Sequence, residues 1–147
     1  MPDSWQLILV GDGSGSALDR PSGWAVAAIE ADRSLQLFWG AMNTGTVQVS
    51  ELMPYLQALA YYGGRKEPPR DGIWEVHLVT DSDYLFKLGR GDYSQGPTVR
   101  LWGTVLASLR AQGFSLHWHW RRRETLQLNR WADDRSRKAR LKLQELS

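Results

Sequence analysis

The stretch Leu7–Gly15, read Leu-Ile-Leu-Val-Gly-Asp-Gly-Ser-Gly, constrains this chain more than any other. Its apolar run predicts a strand that carries Asp12 to the edge of a sheet. The glycines after it then let the backbone turn or come close to a ligand. Asp-Gly behind a hydrophobic run is also a hairpin signal. Whether Asp12 is a turn residue or a site residue depends on what other carboxylates reach the same place.

Further along, Gly23–Glu30 and Leu35–Trp39 read as two more strands, which with the first make an antiparallel meander. Helical spacing follows from Ser50 to about Tyr62, with Leu52, Leu56, Leu59 and Ala60 on one face. Pro54 is tolerable in a first turn, so the helix either starts near Ser50 or starts earlier and kinks; Gly63-Gly64 should end it. Trp74–Thr80 is a fourth strand, and it too runs into an acid, Asp81. Ser82–Leu88 suits a short helix broken at Gly89-Arg90-Gly91, and Thr98–Ala111 a longer one stopped by Gly113. Phe114–Trp120 is a fifth strand, and Asn129 or Trp131 opens a basic helix ending at Leu146.

At 147 residues, with no linker or repeat, the expectation is one domain over 1–147 with a real core. No apolar stretch is long enough to cross a bilayer, and the expectation is an unprocessed soluble protein with no membrane partner. The chain has no cysteine, which excludes disulfides and thiolate metal sites and fits a cytoplasmic location. Any bound metal must be held by oxygen or imidazole. The net charge of +2 is compatible with a nucleic-acid partner without establishing one.

Two strands that end at acids, if they are parallel neighbours, bring those acids to one edge. Glu51 near the start of one helix and Asp133 early in another can reach the same edge. Clustered carboxylates raise one another's pKa values and cost stability unless cations sit among them. Hard ions such as Mg²⁺ or Mn²⁺ suit oxygen ligands, and two ions roughly 4 Å apart activate a water and stabilise the leaving oxygen of a phosphodiester. Each acid alone has an ordinary explanation. Glu51 favours a helix N-terminus, Asp81-Ser82 can cap a turn, and Asp133 and Asp134 can be solvated helix charges. His77, His117 and His119 read as strand residues rather than metal ligands, and Trp24, Trp39, Trp74 and Trp102 as core or core margin. Trp131, one turn from the site, also reads as packing, with a nucleic-acid contact as the other possibility.

Asp12-Gly13-Ser14, Glu51-Leu52 with Ala58-Leu59, Val79-Thr80-Asp81-Ser82 with Tyr84, Leu101-Trp102, Trp118-His119-Trp120, and Asn129 with Ala132-Asp133 occur in that order along nearly the whole chain. In this the sequence resembles the type 1 ribonuclease H family. The resemblance implies an α/β ribonuclease H-like fold: a five-stranded mixed sheet in order 3-2-1-4-5, flanked by three to four helices. It also implies two Mg²⁺ ions, with Mn²⁺ as an alternative, held by Asp12, Glu51, Asp81 and Asp133. Asp133 is preferred to Asp134 because it keeps the family's four-residue interval from Asn129. The implied partner is an RNA–DNA hybrid, and the implied activity is endonucleolytic hydrolysis of its RNA strand, leaving 5′ phosphates.

Four features depart from the family pattern. The loop before the last helix, Arg121–Thr125, has no histidine; Glu124 falls near its place and is the candidate proton carrier. Before the helix glutamate only Gln48 offers a polar side chain. Asp83 stands where an amide is usual, and Tyr84–Val99 is too short for a basic protrusion. Substrate contacts are therefore expected from the backbone at Gly13, Ser14 and Gly15, from Gln48 and Asn129, and from phosphate-binding Arg121, Arg122 and Arg123. Two other readings follow: a related nuclease acting on double-stranded RNA or on structured DNA such as junctions, and a weakly active nucleic-acid-binding module.

Overall fold

The first strand does not stop at the acid. The computed structural model describes residues 7–15, 20–43, 47–65, 73–122 and 127–146. In it β1 (Leu7–Ser14) keeps its antiparallel ladder with β2 (Ser22–Glu30) through Asp12↔Ala25, Gly13↔Trp24 and Ser14↔Gly23. Asp12-Gly13 is thus strand and not hairpin turn, since the pairing with β2 continues two residues beyond the acid. On its other side β1 pairs in parallel with β4 (Trp74–Thr80), but only from Leu7↔Val76 to Val10↔Val79. Past Val10 the two strands part, and Asp12 sits beyond the parting. β3 (Leu35–Met42) and β5 (Phe114–Trp120) complete a mixed sheet in the order β3-β2-β1-β4-β5. This is the order that the family resemblance implies.

Strand alternation sends side chains to two different layers. Leu7 and Leu9 join a core with Leu52, Tyr55 and Leu59 of α1 (Val47–Arg65), Leu85 and Leu88 of α2 (Asp83–Arg90), and Trp102 and Leu109 of α3 (Pro97–Ala111). Ile8 and Val10 face the other way, toward Val79, Ile29 and Leu128 of α4 (Gln127–Leu146). Helix α4 packs on β1, β2 and β3. Burying each of these leucines stabilises the fold by about 1.5–3 kcal/mol relative to leaving it in water.

The helix boundaries differ from expectation where a glycine serves packing instead of punctuation. α1 begins at Val47, the earlier of the two starts the sequence allows, so Pro54 lies in its interior and cannot donate to the Ser50 carbonyl. That carbonyl lies against the bare Cα of Gly13, where a Cβ would sit only 1.9 Å from Ser50 O. α1 also continues through Gly63-Gly64; Gly63 abuts the Gln112 side chain and Phe114. α2 continues through Gly89, whose missing side chain leaves room for the Trp118 ring, and ends at Gly91, with φ 82°. α4 starts at Gln127, ahead of Asn129. The buried face of α1 is Leu52, Tyr55, Ala58, Leu59 and Tyr62, while Ala60 is exposed. Trp74 and Trp102 are buried, but Trp39 is 49 % exposed, with the Arg135 guanidinium 4.6 Å above its ring. Among the described residues no helix is long and apolar enough to cross a membrane.

The three histidines stand side by side on β4 and β5. His77 Nδ1 is 2.8 Å from His119 Nε2, and the His77 ring stacks on both His117 and His119. His117 Nε2 is 2.7 Å from Glu75 Oε2. Burial, then the like charge of the neighbouring imidazoles, lowers the pKa of His77, with Glu75 opposing. Burial and Arg121 lower that of His119. A histidine whose folded pKa is depressed binds its proton more readily when unfolded. Its contribution is therefore whole above pH 6.5 and is lost as pH falls from there toward the folded pKa. Urea unfolding between pH 7.5 and 5 should show stability falling with acid, and falling less in a His77→Gln/His119→Gln variant. Equal losses in both proteins would remove the histidines from the pH dependence.

Candidate active site

Where β1 and β4 separate, Asp12 and Asp81 lie just past the end of their ladder, with Glu51 tied to the turn after β4. Asp12, on the same side of β1 as Val10, faces the α4 layer, is 4 % exposed, and accepts the Gly13 N–H at 2.9 Å through Oδ1. Asp81 follows β4 directly, and its backbone carbonyl accepts the Trp120 indole N–H at 3.2 Å. Continuing the β1–β4 register two residues past Val10↔Val79 brings Asp12 level with Asp81.

Glu51 belongs to α1 but is tied to the segment after β4. Ser82 caps α2 by accepting the Leu85 N–H at 3.1 Å, and its hydroxyl donates to Glu51 Oε2 at 2.8 Å. Thr80 Oγ1 accepts the Ser82 N–H at 3.0 Å, which holds this turn against the end of β4. The close approach of Ser50 to Gly13 brings the start of α1 to the same place.

Asp133 arrives on α4. The Ser136 carbonyl presses on Gly23, the β2 partner of Ser14; a Cβ there would lie 2.0 Å from it. This seats the helix over the ends of β1 and β2. The Asp133 side chain is 19 % exposed, and its Oδ2 accepts from Arg137 Nη2 at 2.7 Å. Asp134 is 59 % exposed and paired with Lys138, whose hydrogen bond lowers its pKa. The two adjacent acids therefore sit in different surroundings.

One residue at this junction escaped the sequence reading. Tyr55 is fully buried; its hydroxyl accepts the Gly11 N–H at 3.2 Å and lies 2.5 Å from the Val79 carbonyl, to which it donates. It therefore bridges β1 and β4 at the point where their ladder ends. Burial above all, helped by the charges of Asp12 and Asp81, pushes the phenol far up, so it stays protonated as a donor. The available signal was a polar tip at the third position after Leu52, inside the apolar stripe of α1.

Of the expected substrate contacts, Gly13, Ser14 and Gly15 are half-buried beside Asp12, Gln48 is exposed on the first turn of α1, and Arg121 and Arg122 are exposed just after β5. Asn129 is 1 % exposed, so it lies inside the protein and not on a surface that a ligand would meet. Arg123 and Glu124 lie outside the described residues.

These donors are carboxylate oxygens, the chemistry that hard divalent cations such as Mg²⁺ and Mn²⁺ require. Tyr55 is within electrostatic reach of both Asp12 and Asp81, so two of the four charges already share one neighbourhood. As they stand, no three His, Asp or Glu side chains among the described residues are grouped closely enough to hold an ion. Glu51 is turned to Ser82 and Asp133 to Arg137. The chemistry of the donor set, four carboxylates, suits such cations.

Neither a protein-family model nor a curated protein matches the sequence. Solved structures do. The N-terminal RNase H domain of Rv2228c from Mycobacterium tuberculosis superposes with a TM-score of 0.77 at 19 % identity, covering 98 % of this chain and 100 % of that one. LC11-RNase H1, solved in complex with an RNA/DNA hybrid, gives 0.74 at 19 % identity over 97 % and 100 % of the two chains. RNase H1 from the halophilic archaeon Halobacterium salinarum gives 0.69 at 17 % identity over 91 % and 96 %. At this identity the likeness is one of fold: the chain has the ribonuclease H-like fold.

Proposed function

We propose that this ribonuclease H-fold chain is a divalent-cation-dependent endonuclease that hydrolyses the RNA strand of RNA–DNA hybrids. What supports the reading is that Asp12 and Asp81 both lie just past the end of the parallel β1–β4 ladder, with Glu51 joined to the turn after β4 through Ser82. Asp133 comes to this edge on the helix seated over β1 and β2. Asp12, Glu51, Asp81 and Asp133 would hold two Mg²⁺ or Mn²⁺ ions. Bound there, such ions supply Lewis acidity and a nucleophilic water at neutral pH.

The chain's own residues do the rest. Tyr55 fixes the spacing of the strands that carry Asp12 and Asp81. The backbone of Gly13–Gly15 lies close enough to the surface to meet 2′-hydroxyls, the groups that distinguish RNA from DNA. Gln48 stands beside it on α1, and Arg121–Arg123 bind phosphate without reading sequence. Glu124 serves as the proton carrier in place of a histidine. Hydrolysis breaks the P–O3′ bond, leaving a 3′ hydroxyl on one fragment and a 5′ phosphate on the other.

The test is incubation of end-labelled hybrid, double-stranded RNA and four-way DNA junction with Mg²⁺, Mn²⁺ or EDTA. RNA in the hybrid should be cut to 5′-phosphate products with either ion and remain whole in EDTA. Cutting confined to double-stranded RNA or junctions, or hybrid cutting undiminished by EDTA, would refute the proposal.

A further inference from the structure

We propose that Arg137 is an exchangeable counter-ion: it holds Asp133 in the cation-free protein and passes to a nucleic-acid phosphate when a divalent cation takes that carboxylate. The inference rests on the reading of Asp133 as a cation ligand. Two observations carry it. Arg137 Nη2 lies 2.7 Å from Asp133 Oδ2, one helical turn along α4, in the favourable order of acid before base at four residues. And the same turn of α4 is the one whose Ser136 carbonyl presses on Gly23, the partner of Ser14.

The first observation means that a positive charge already occupies the carboxylate that a cation would use. A second cation there must either displace the guanidinium or suffer its repulsion. The pair lies near the surface, so displacement costs little. The second observation says where the displaced group is. Arg137 follows Ser136 directly, on the helix seated beside Ser14, the segment past which the nucleic-acid backbone is proposed to run. A guanidinium on a long stem, freed from a carboxylate, is suited to bind phosphate through two N–H groups at once. Cation and nucleic acid would then bind cooperatively, each making room for the other. In a chain with only six residues, Gly91–Gly96, between α2 and α3, this adds a duplex contact from a helix that also carries a site acid.

The neighbouring pair provides the control. Asp134–Lys138 has the same spacing and a similar length, 2.9 Å, but does not involve Asp133. Mn²⁺ binding to the free protein, read by electron paramagnetic resonance of unbound Mn²⁺, is compared for wild type, Arg137→Ala, Lys138→Ala and Asp133→Asn. Arg137→Ala should bind Mn²⁺ about two- to fivefold more tightly, the range of one exposed ion pair, and Lys138→Ala about as wild type. Hybrid binding in Ca²⁺ should weaken more in Arg137→Ala than in Lys138→Ala. Equal changes in the two alanine variants, or no tightening in Arg137→Ala, would overturn the inference and leave the cation site standing. Unaltered Mn²⁺ binding in Asp133→Asn would overturn the cation site itself, and the inference with it.

Discussion

Asp12→Asn should lower kcat/KM on an RNA–DNA hybrid by about two to three orders of magnitude while leaving the protein at least as stable as wild type. The two effects have opposite signs for one reason. Asp12 is 4 % exposed and shares its neighbourhood with Asp81, so its negative charge is expensive to bury and to place there. The amide keeps the shape and the acceptor for the Gly13 N–H but removes the charge that attracts a cation. Under the proposed function, loss of this buried charge should relax the fold. Steady-state cleavage and thermal unfolding on the same preparations decide it. A variant that keeps cleaving within tenfold of wild type would remove Asp12 from the site, and one that is markedly less stable would make Asp12 a structural residue.

The second large effect is steric. In Gly13→Ala the new Cβ would lie 1.9 Å from the Ser50 carbonyl oxygen, 2.2 Å from its carbon and 2.6 Å from the Glu51 nitrogen. All three are backbone atoms of a helix, so no side chain can swing aside. Either β1 leaves its ladder with β2 or the first turns of α1 move outward. A destabilisation of about 3 kcal/mol or more is expected, at or above the usual range for overpacking. Cleavage should also fall in whatever protein remains folded, since an outward shift takes Glu51 from Asp12 and Ser82. Urea unfolding within 1 kcal/mol of wild type, the low end of that range, would mean that the helix yields easily and that Gly13 does not set its position.

What was legible in the chain was what local pattern controls. Apolar runs ending at Asp12 and Asp81 marked two strands. Once they were parallel neighbours, the edge they share followed from geometry. The helices were readable from their apolar spacing, whereas the sheet order came only with the family resemblance. Features set by contacts between distant segments were not. Asp12-Gly13 has the local signature of a turn, and only pairing with Ala25 and Trp24 makes it strand. Gly63 and Gly89 look like stops until Gln112, Phe114 and Trp118 are found against them. Pro54 left the start of α1 open between Ser50 and an earlier residue, and the fold, with Ser50 seated on Gly13, takes the earlier one. Tyr55 was hidden because its function lies in one hydroxyl reaching two strands far away in sequence. Asn129 has the composition of a surface contact and the position of an interior residue. Asp133 and Asp134 are separated in the sequence only by the family's interval from Asn129; their different exposure, 19 % against 59 %, appears only in the fold.

The helix that covers β1 is made long after it. During synthesis the segment bearing Asp12 leaves the ribosome first, and more than a hundred residues must follow before Asp133 is joined to the chain. Until α4 docks on β1 and β2, Asp12 stays hydrated and its burial cost is deferred. A nascent chain therefore lacks Asp133, whatever part of its sheet has already formed. Under the proposed function, an enzyme assembled in this order would be inert toward RNA near the ribosome until α4 had closed.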